Sequence, residues 1–227
     1  MHPQMFSQIA RRYDLANHVL SLNRDRAWRR ILVQHAAPKP GERLLDLCTG
    51  TGDVAIEFAQ ACPDLRIVGL DLSEEMLKVA HEKCARLSLD HRIELIHGDA
   101  LVLPFGESSF EIVTIAFGLR NLPDRARGLR EIYRVLAPGG RAMILEFSVP
   151  QNVLARSVYL PYLRYILPRV GGLLAGARAP YEYLCDSILH FPDRATILEE
   201  LHDVGFRPVG YRDLTLGIAT LYWGEKP

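Results

Sequence analysis

Apolar positions along the chain change their spacing repeatedly, and these changes predict alternating strands and helices. Five short apolar runs have the length and composition of buried strands: 43–48, 66–71, 92–97, 110–116 and 141–147. Between them apolar residues recur at helical spacing, as in the predicted helix 125–136, where they are Leu129, Ile132, Tyr133 and Leu136. Strands that alternate with helices in this way predict a parallel sheet with helices on both faces.

Local signals predict the ends of several elements. Ser73 is a typical N-cap residue, and Glu74 and Glu75 follow it where the positive end of a helix favours acids. Pro138-Gly139-Gly140 is predicted to stop the 125–136 helix, so that the fifth strand begins at Arg141. Two closing strands are predicted within 206–223.

Residues 150–192 interrupt the alternation with a long apolar and aromatic segment. Arginines are spaced through it: Arg156, Arg164, Arg169 and Arg178. One interpretation is a packed helical insertion, and the other is a lid over an apolar substrate that also rests on a membrane surface. We therefore divide one predicted domain, 1–227, into four parts: an N-terminal helical segment 1–40, a core 41–149, the insertion 150–192, and a closing helix with strands 193–227.

Composition indicates a compact intracellular enzyme. The 227 residues carry 27 basic and 27 acidic side chains, so no overall charge attracts nucleic acid. The four cysteines lack Cys-x-x-Cys spacing, which is typical of a reducing compartment and predicts no metal site. No apolar run reaches the ~18 residues of a membrane span. We expect a cytoplasmic protein, with peripheral contact at the inner face of the membrane as an open alternative.

A glycine loop follows the first predicted strand and provides the strongest chemical signal. Gly50 and Gly52 allow a tight turn and a close approach of backbone to ligand. Gly50-x-Gly52-x-x-Ala55, with Asp71 about 20 residues on, fits the loose dinucleotide fingerprint. A nicotinamide-dependent oxidoreductase is therefore one alternative.

Two further acids favour S-adenosylmethionine over a dinucleotide. Asp46 lies just before the glycine loop, where a sulfonium and an amino group would be attracted to a carboxylate that repels a pyrophosphate. Asp99 ends the third predicted strand and can accept a hydrogen bond from an adenine amine, with Ala100 offering a backbone contact. The predicted closing strands also leave no second substrate domain.

Several stretches together resemble one family of methyltransferases. They are 13–21 with Trp28, 114–121, and 134–140 continuing to Glu146-Phe147-Ser148. This set resembles the ubiquinone/menaquinone biosynthesis C-methyltransferases over nearly the whole chain. The chain departs from the family pattern at a few positions: Ala16, Asn23, Asp25 and Ala137.

The resemblance implies a Rossmann-like α/β fold with a seven-stranded, mostly parallel sheet, an antiparallel last strand and a helical lid. It implies S-adenosylmethionine-dependent methylation of a ring carbon in a prenylated quinol. No nucleic acid partner is expected, and a homodimer or a biosynthetic complex is the expected assembly. A methyltransferase for another lipophilic acceptor and a non-catalytic cofactor-binding partner are the alternatives.

The resemblance also suggests roles for single residues. Asp71 would accept from both ribose hydroxyls, and Asp99 with Ala100 would bind adenine. The remaining predicted cofactor contacts are Asp46, Gly50, Thr51 and Gly52 at the methionine end, Ala116 and Phe117 beneath it, and Leu72 and Met76 beside adenine. A helix-end charge for Asp71, a turn position for Asp99 and a core position for Met76 are the corresponding structural alternatives.

Three residues are candidates for the proton chemistry. Arg120 would stabilise a phenolic oxyanion and order a water that removes the proton, because its guanidinium stays charged. A structural ion pair is the alternative for Arg120. Tyr13 and Asp14 would line the substrate side, with Asp14 as an alternative base, or they form a helix cap or surface pair.

Overall fold

The five apolar runs form parallel strands of one sheet in the computed structural model, which describes residue 21 and residues 23–227. The strands are β1 Arg43–Leu47, β2 Arg66–Asp71, β3 Ile93–His97, β4 Phe110–Ala116, β5 Leu136–Phe147, β6 Val209–Leu214 and β7 Ala219–Glu225. Their order is β3-β2-β1-β4-β5-β7-β6, and β7 runs antiparallel to both of its neighbours. The predicted seven-stranded sheet with an antiparallel last strand is confirmed.

Helices cover both faces of this sheet. The helices within the described residues are α1 Arg24–Ala36, α2 Asp53–Ala61, α3 Glu74–Arg86, α4 Arg125–Val135, α5 Val153–Pro161, α6 Leu167–Ala175, α7 Ala179–Leu189 and α8 Arg194–Val204, of which α5, α6 and α7 belong to the insertion. Ser73 caps α3 as predicted, since its Oγ accepts from the Met76 amide at 3.3 Å. Tyr13, Asp14 and most of the predicted N-terminal helix lie outside the described residues.

Alternation along each central strand divides the core into two layers. On β1, Leu44 packs in the layer of α1 and α2, whereas Leu45 and Leu47 pack in the layer of α4 and α8. Strands buried on both faces need apolar residues at successive positions. This requirement explains why these strands are continuous apolar runs in the sequence.

The boundary between α4 and β5 differs from the prediction. The helix ends at Val135 and β5 begins directly at Leu136, which pairs with Phe110. The register then shifts, and Arg141 pairs with Ile112. Gly139, with φ of +75°, lets the intervening residues bulge. Pro138-Gly139-Gly140 therefore interrupts the register of the strand and does not precede it.

The insertion, residues 150–192, forms α5, a π-helical turn at Tyr162–Ile166, α6 and α7. It has a small core of its own: Tyr159, Leu163, Leu167, Tyr181, Cys185 and Ile188. Phe147 and Ile218 pack against this core and connect it to the sheet. None of the helices in the described ranges is long and apolar enough to cross a membrane.

Candidate active site

The loop after β1 turns through a series of left-handed residues. Cys48, Gly50 and Gly52 have φ of 53°, 57° and 82°. A Cβ on Gly52 would lie 3.2 Å from the Ala80 Cβ, so the loop passes close to α3. Glycine relieves the strain at two of these positions and permits that approach. The loop therefore enters α2 tightly, at the edge of the sheet where β1 ends.

Asp46 lies buried at the end of β1 and is held by two hydroxyls. Its carboxylate accepts from the Thr49 and Thr114 side chains at 2.6 Å each. Burial raises the pKa of Asp46 to about 6, although both hydroxyls and the charge of Arg29 favour its ionised form. A buried acid of this kind faces the cavity that lies above the strand ends.

Asp71 ends β2 and fixes the glycine loop. It accepts from the Gly50 amide at 2.8 Å and from the Ser73 amide at 2.9 Å, one on each carboxylate oxygen. Burial raises the pKa of Asp71 despite these amides. Because each carboxylate oxygen has a second lone pair, Asp71 retains acceptor capacity for a ligand.

The loop after β4 contacts the loop after β1. Phe117 has a left-handed φ of 57°, and the next residue is Gly118. A Cβ on Gly118 would lie 2.6 Å from the Cys48 Cβ, which no backbone tolerates without moving. The absence of a side chain at Gly118 therefore lets the two loops meet, and Ala116 and Phe117 line the same cavity as Asp46.

Arg120 forms a buried ion pair in the wall of this cavity. Its Nη1 lies 2.6 Å from Glu146 Oε1, and the two side chains are 3% and 0% exposed. Nη1 also donates to the Phe117 carbonyl oxygen, and Nε donates to Ser187 Oγ at 3.3 Å. The guanidinium lies over the Phe147 ring. The structural ion pair considered for Arg120 is therefore present, at a position that lines the cavity.

The cavity has a volume of about 1250 Å³ and extends from the strand ends into the insertion. This exceeds the ~300–1,000 Å³ of a pocket for one small ligand, so the cavity has room for more than one small molecule. Most of the predicted site residues line it: Asp46, Gly50, Thr51, Asp71, Leu72, Met76, Ala116, Phe117 and Arg120. Gly52 does not line the cavity and contributes through the turn.

Asp99 and Ala100 lie in a separate, smaller pocket of about 90 Å³. Asp71, Leu72 and Cys48 line both pockets, so the two are adjacent. Asp99 is exposed, and its Oδ1 accepts from the Leu101 amide at 2.9 Å. The turn position considered for Asp99 is therefore observed, at the rim of a pocket that continues from the main cavity.

Other residues in or directly behind the cavity wall were not predicted as site residues from the sequence. An aromatic group contains Trp28, Phe117 and Phe147, with ring centroids 4.5–6.2 Å apart. Trp28 donates from Nε1 to Thr215 Oγ1 at 2.8 Å, across 187 positions of chain. Glu146 had a signal that could have identified it, because it is an acid inside a strand that is otherwise apolar. Arg29 had a weaker signal, because its i−4 spacing from Asp25 predicts only a helical ion pair, whereas Asp53 meets it only in the folded chain.

Solved structures share this fold. Phosphoethanolamine N-methyltransferase 2 of Haemonchus contortus, in complex with S-adenosyl-L-methionine, superposes with a TM-score of 0.67 at 19% identity, covering 88% of this chain and 52% of that chain. A structure from Bacillus halodurans, described as a putative methyltransferase, superposes with a TM-score of 0.64 at 24% identity, covering 86% of this chain and 97% of that chain. The fold is that of S-adenosylmethionine-dependent methyltransferases.

Sequence comparison specifies the family. Residues 2–226 match the model of the ubiE/COQ5 methyltransferase family. Ubiquinone/menaquinone biosynthesis C-methyltransferase UbiE of Geotalea daltonii is 46% identical over 224 residues, 98% of this chain and 95% of the relative. Demethylmenaquinone methyltransferase of Deinococcus radiodurans is 45% identical over 223 residues, 98% and 91% of the two chains. This chain belongs to the ubiE/COQ5 methyltransferase family, and it is an S-adenosylmethionine-dependent enzyme.

Proposed function

We propose that this enzyme methylates a ring carbon of a prenylated quinol, with demethylmenaquinol, a methoxy-benzoquinol or both as acceptor. The cavity is the observation that carries the proposal. One end has buried acids at the strand tips, and the other passes between apolar side chains of the insertion. A polar cofactor requires the acidic end and a long apolar acceptor requires the apolar end, and both must lie in the same cavity for the methyl group to be transferred.

The residues at the strand tips fit the cofactor. Asp71 would accept from the ribose hydroxyls with the lone pairs that its amide partners leave. Asp99 and Ala100, in the adjacent small pocket, would contact adenine, with Leu72 between the two pockets. Asp46, Gly50 and Thr51 would hold the methionine end. When bound, S-adenosylmethionine supplies an electrophilic methyl group on a sulfonium.

The aromatic group suits the flat ring of a quinol. Trp28, Phe117 and Phe147 present apolar faces to the cavity beside Arg120. Apolar residues of the insertion continue the wall from there, and these are Val158, Leu167, Val170, Leu184 and Ile188. Hydrophobic burial along this wall favours a prenyl tail and excludes water from the ring. Contacts from Tyr13 and Asp14 stay predictions.

The ring carbon needs activation, because a neutral hydroquinone is a weak carbon nucleophile. Loss of a phenolic proton moves electron density onto the ring, and a fixed cation stabilises the oxyanion that forms. Arg120 is held for this purpose by Glu146, Ser187 and the Phe117 carbonyl. Its role is to face the phenolic oxygen and to order the water that accepts the proton.

The outer face of the insertion suits transient contact with a membrane surface. Val153 and Leu173, which do not line the cavity, are 81% and 85% exposed. Arg156, Arg164 and Arg169 are exposed on the same segment. Apolar side chains flanked by arginines are typical of segments that bind anionic lipid surfaces. We infer a cytoplasmic enzyme that collects its acceptor at the bilayer, and association into a homodimer or a biosynthetic complex stays a prediction.

Complementation tests the reaction directly. The gene is expressed in a host that lacks its own quinol methyltransferase, and the quinones are analysed by mass spectrometry. We expect the demethylated precursor to be replaced by a product heavier by one methylene unit. Accumulation of the precursor at the level of an empty vector, while purified protein binds S-adenosylhomocysteine, would favour another lipophilic acceptor. Binding of NAD in place of S-adenosylhomocysteine would favour the oxidoreductase.

A further inference from the structure

Arg29 is a buried cation that faces the cavity beside the glycine loop. It lies on α1, directly after Trp28, and is 9% exposed. Arginines that line the cavity within the described residues are Arg24, Arg29 and Arg120. Arg24 is exposed, and Arg120 is paired with Glu146 in another part of the wall. Arg29 therefore supplies the buried positive charge on the glycine-loop side.

One nitrogen of Arg29 makes both of its ion pairs. Nη1 lies 2.8 Å from Asp25 Oδ2 and 3.2 Å from Asp53 Oδ2. Asp53 is the first residue of α2, directly after the glycine loop, and it also pairs with Lys83. Nε and Nη2 have no hydrogen-bond acceptor among the described residues. These two nitrogens form one edge of the guanidinium, which matches the two oxygens of a carboxylate.

The charges around the glycine loop match a zwitterion. Asp46 lies on one side of the loop, and Arg29 is close enough to favour the ionised form of Asp46. The first turn of α2 adds backbone N–H groups, which favour an anion at the same place. If the amino acid end of a ligand binds here, its ammonium group would face Asp46 and its carboxylate would face Arg29.

We propose that Arg29 binds the carboxylate of the methyl donor's methionine end through Nε and Nη2, while Asp25 and Asp53 hold the guanidinium in place. The inference rests on the cofactor of the proposed function. Such a contact makes the enzyme selective for donors that retain the carboxylate, since a buried cation left without it loses a charged hydrogen-bond partner.

Calorimetry with two ligands tests this role. The full chain is titrated with S-adenosylhomocysteine and with its decarboxylated analogue, which keeps the amine. We expect wild type to bind S-adenosylhomocysteine about 10- to 100-fold more tightly than the analogue. Arg29→Gln should weaken S-adenosylhomocysteine by that factor and change the analogue by less than about threefold, so that the preference disappears. Arg29→Lys should retain an intermediate preference.

Arg30→Gln is the matched control, because Arg30 is the next residue, is 67% exposed and lies 4.0 Å from its partner Glu57. It should bind both ligands as wild type does. If wild type bound the two ligands with equal affinity, the inference would be overturned without any variant. It would also be overturned if Arg29→Gln weakened the affinity for both ligands by the same factor. If wild type bound neither ligand, the cofactor assignment would fail together with the inference.

Discussion

At the scale of single residues, the site depends on charged groups that are buried together with their partners. Asp46 is held by two threonines, and Arg120 is held by Glu146. Removing one member of a buried pair leaves the other without compensation, which costs more free energy than the intact pair contributes. The structural role of a buried charged residue can therefore be separated from its chemical role by comparing a variant that removes one partner with a variant that removes both.

Arg120→Met should lower the free energy of unfolding by about 3–5 kcal/mol, because the fully buried Glu146 would remain charged and unpaired. The double variant Arg120→Met/Glu146→Met should recover a large part of this loss. Urea denaturation of the wild type and the two variants measures both effects. A single variant as stable as wild type would contradict the cost assigned to Glu146.

The chemical role of Arg120 is tested with the stable double variant. We expect its turnover to fall, while its affinity for S-adenosylhomocysteine stays within about twofold of wild type, because the lost interaction belongs to the oxyanion. Steady-state kinetics and calorimetry separate the two quantities. Wild-type turnover in the double variant would leave Arg120 with a structural role alone.

Asp46 should make cofactor affinity depend on pH. Its pKa is raised from 3.8 to about 6, so the folded protein without ligand holds this proton below that pH. If an ammonium group binds the ionised form, affinity for S-adenosylhomocysteine should be about tenfold weaker at pH 5 than at pH 7.5. Titrations at the two pH values measure the difference.

Asp46→Asn provides the control for this dependence, because an amide does not titrate. The pKa of Asp71 is also raised, and its protonation would weaken the binding of S-adenosylhomocysteine in the same direction. A small dependence of affinity on pH should therefore remain in Asp46→Asn. The same shift predicts that ionising Asp46 reduces the stability of the ligand-free protein as pH rises from about 4 to about 6. An unchanged pH profile in Asp46→Asn would show that Asp46 does not face the ammonium.

At the scale of elements, the site depends on two loops that meet at the edge of the sheet. The loop after β1 was predicted from its glycines, since Gly50 and Gly52 indicate a tight turn in any context. Contact between that loop and Gly118 was not predicted, because Cys48 and Gly118 are 70 positions apart and meet only when β1 pairs with β4.

Gly118→Ala should destabilise the protein by about 1–3 kcal/mol, because the new Cβ would overlap the Cys48 Cβ. Gly106→Ala is a matched control, since its nearest atom would be Ser109 Oγ at 3.7 Å. Cys48→Gly should recover part of the stability lost in Gly118→Ala, since it removes the opposing Cβ at a residue whose φ of 53° suits glycine, while Ile115 Cγ1 would still lie 3.1 Å from the new Cβ. Thermal unfolding measures all the variants, and a rescue that fails would contradict a direct contact.

At the scale of the whole molecule, the insertion has two different faces. Its inner face contains the small core around Tyr159 and Tyr181, and its outer face exposes apolar side chains and arginines. Both interpretations of residues 150–192 require a packed inner face, so packing alone does not select between them. Binding to lipid distinguishes them.

Val153→Glu/Leu173→Glu should reduce co-sedimentation with anionic phosphatidylglycerol vesicles by about tenfold or more, because both side chains are over 80% exposed on the face proposed to touch lipid. Neither residue lines the cavity, so affinity for S-adenosylhomocysteine should not change. Val102→Glu, on the loop between β3 and β4, is the control, since Val102 is 59% exposed outside the insertion. An equal loss in the control, or no loss in the double variant, would contradict membrane contact by this face.

The sequence by itself determined the strands, the glycine loop and the edge of the sheet where the predicted acids gather. These properties follow from local periodicity and from the rule that parallel strands end at the same edge. Tertiary structure alone decided that Arg120 pairs with Glu146, that Arg29 pairs with Asp53, and that Trp28 reaches Thr215. Partners of this kind depend on how elements pack across long separations in sequence, which no local spacing records.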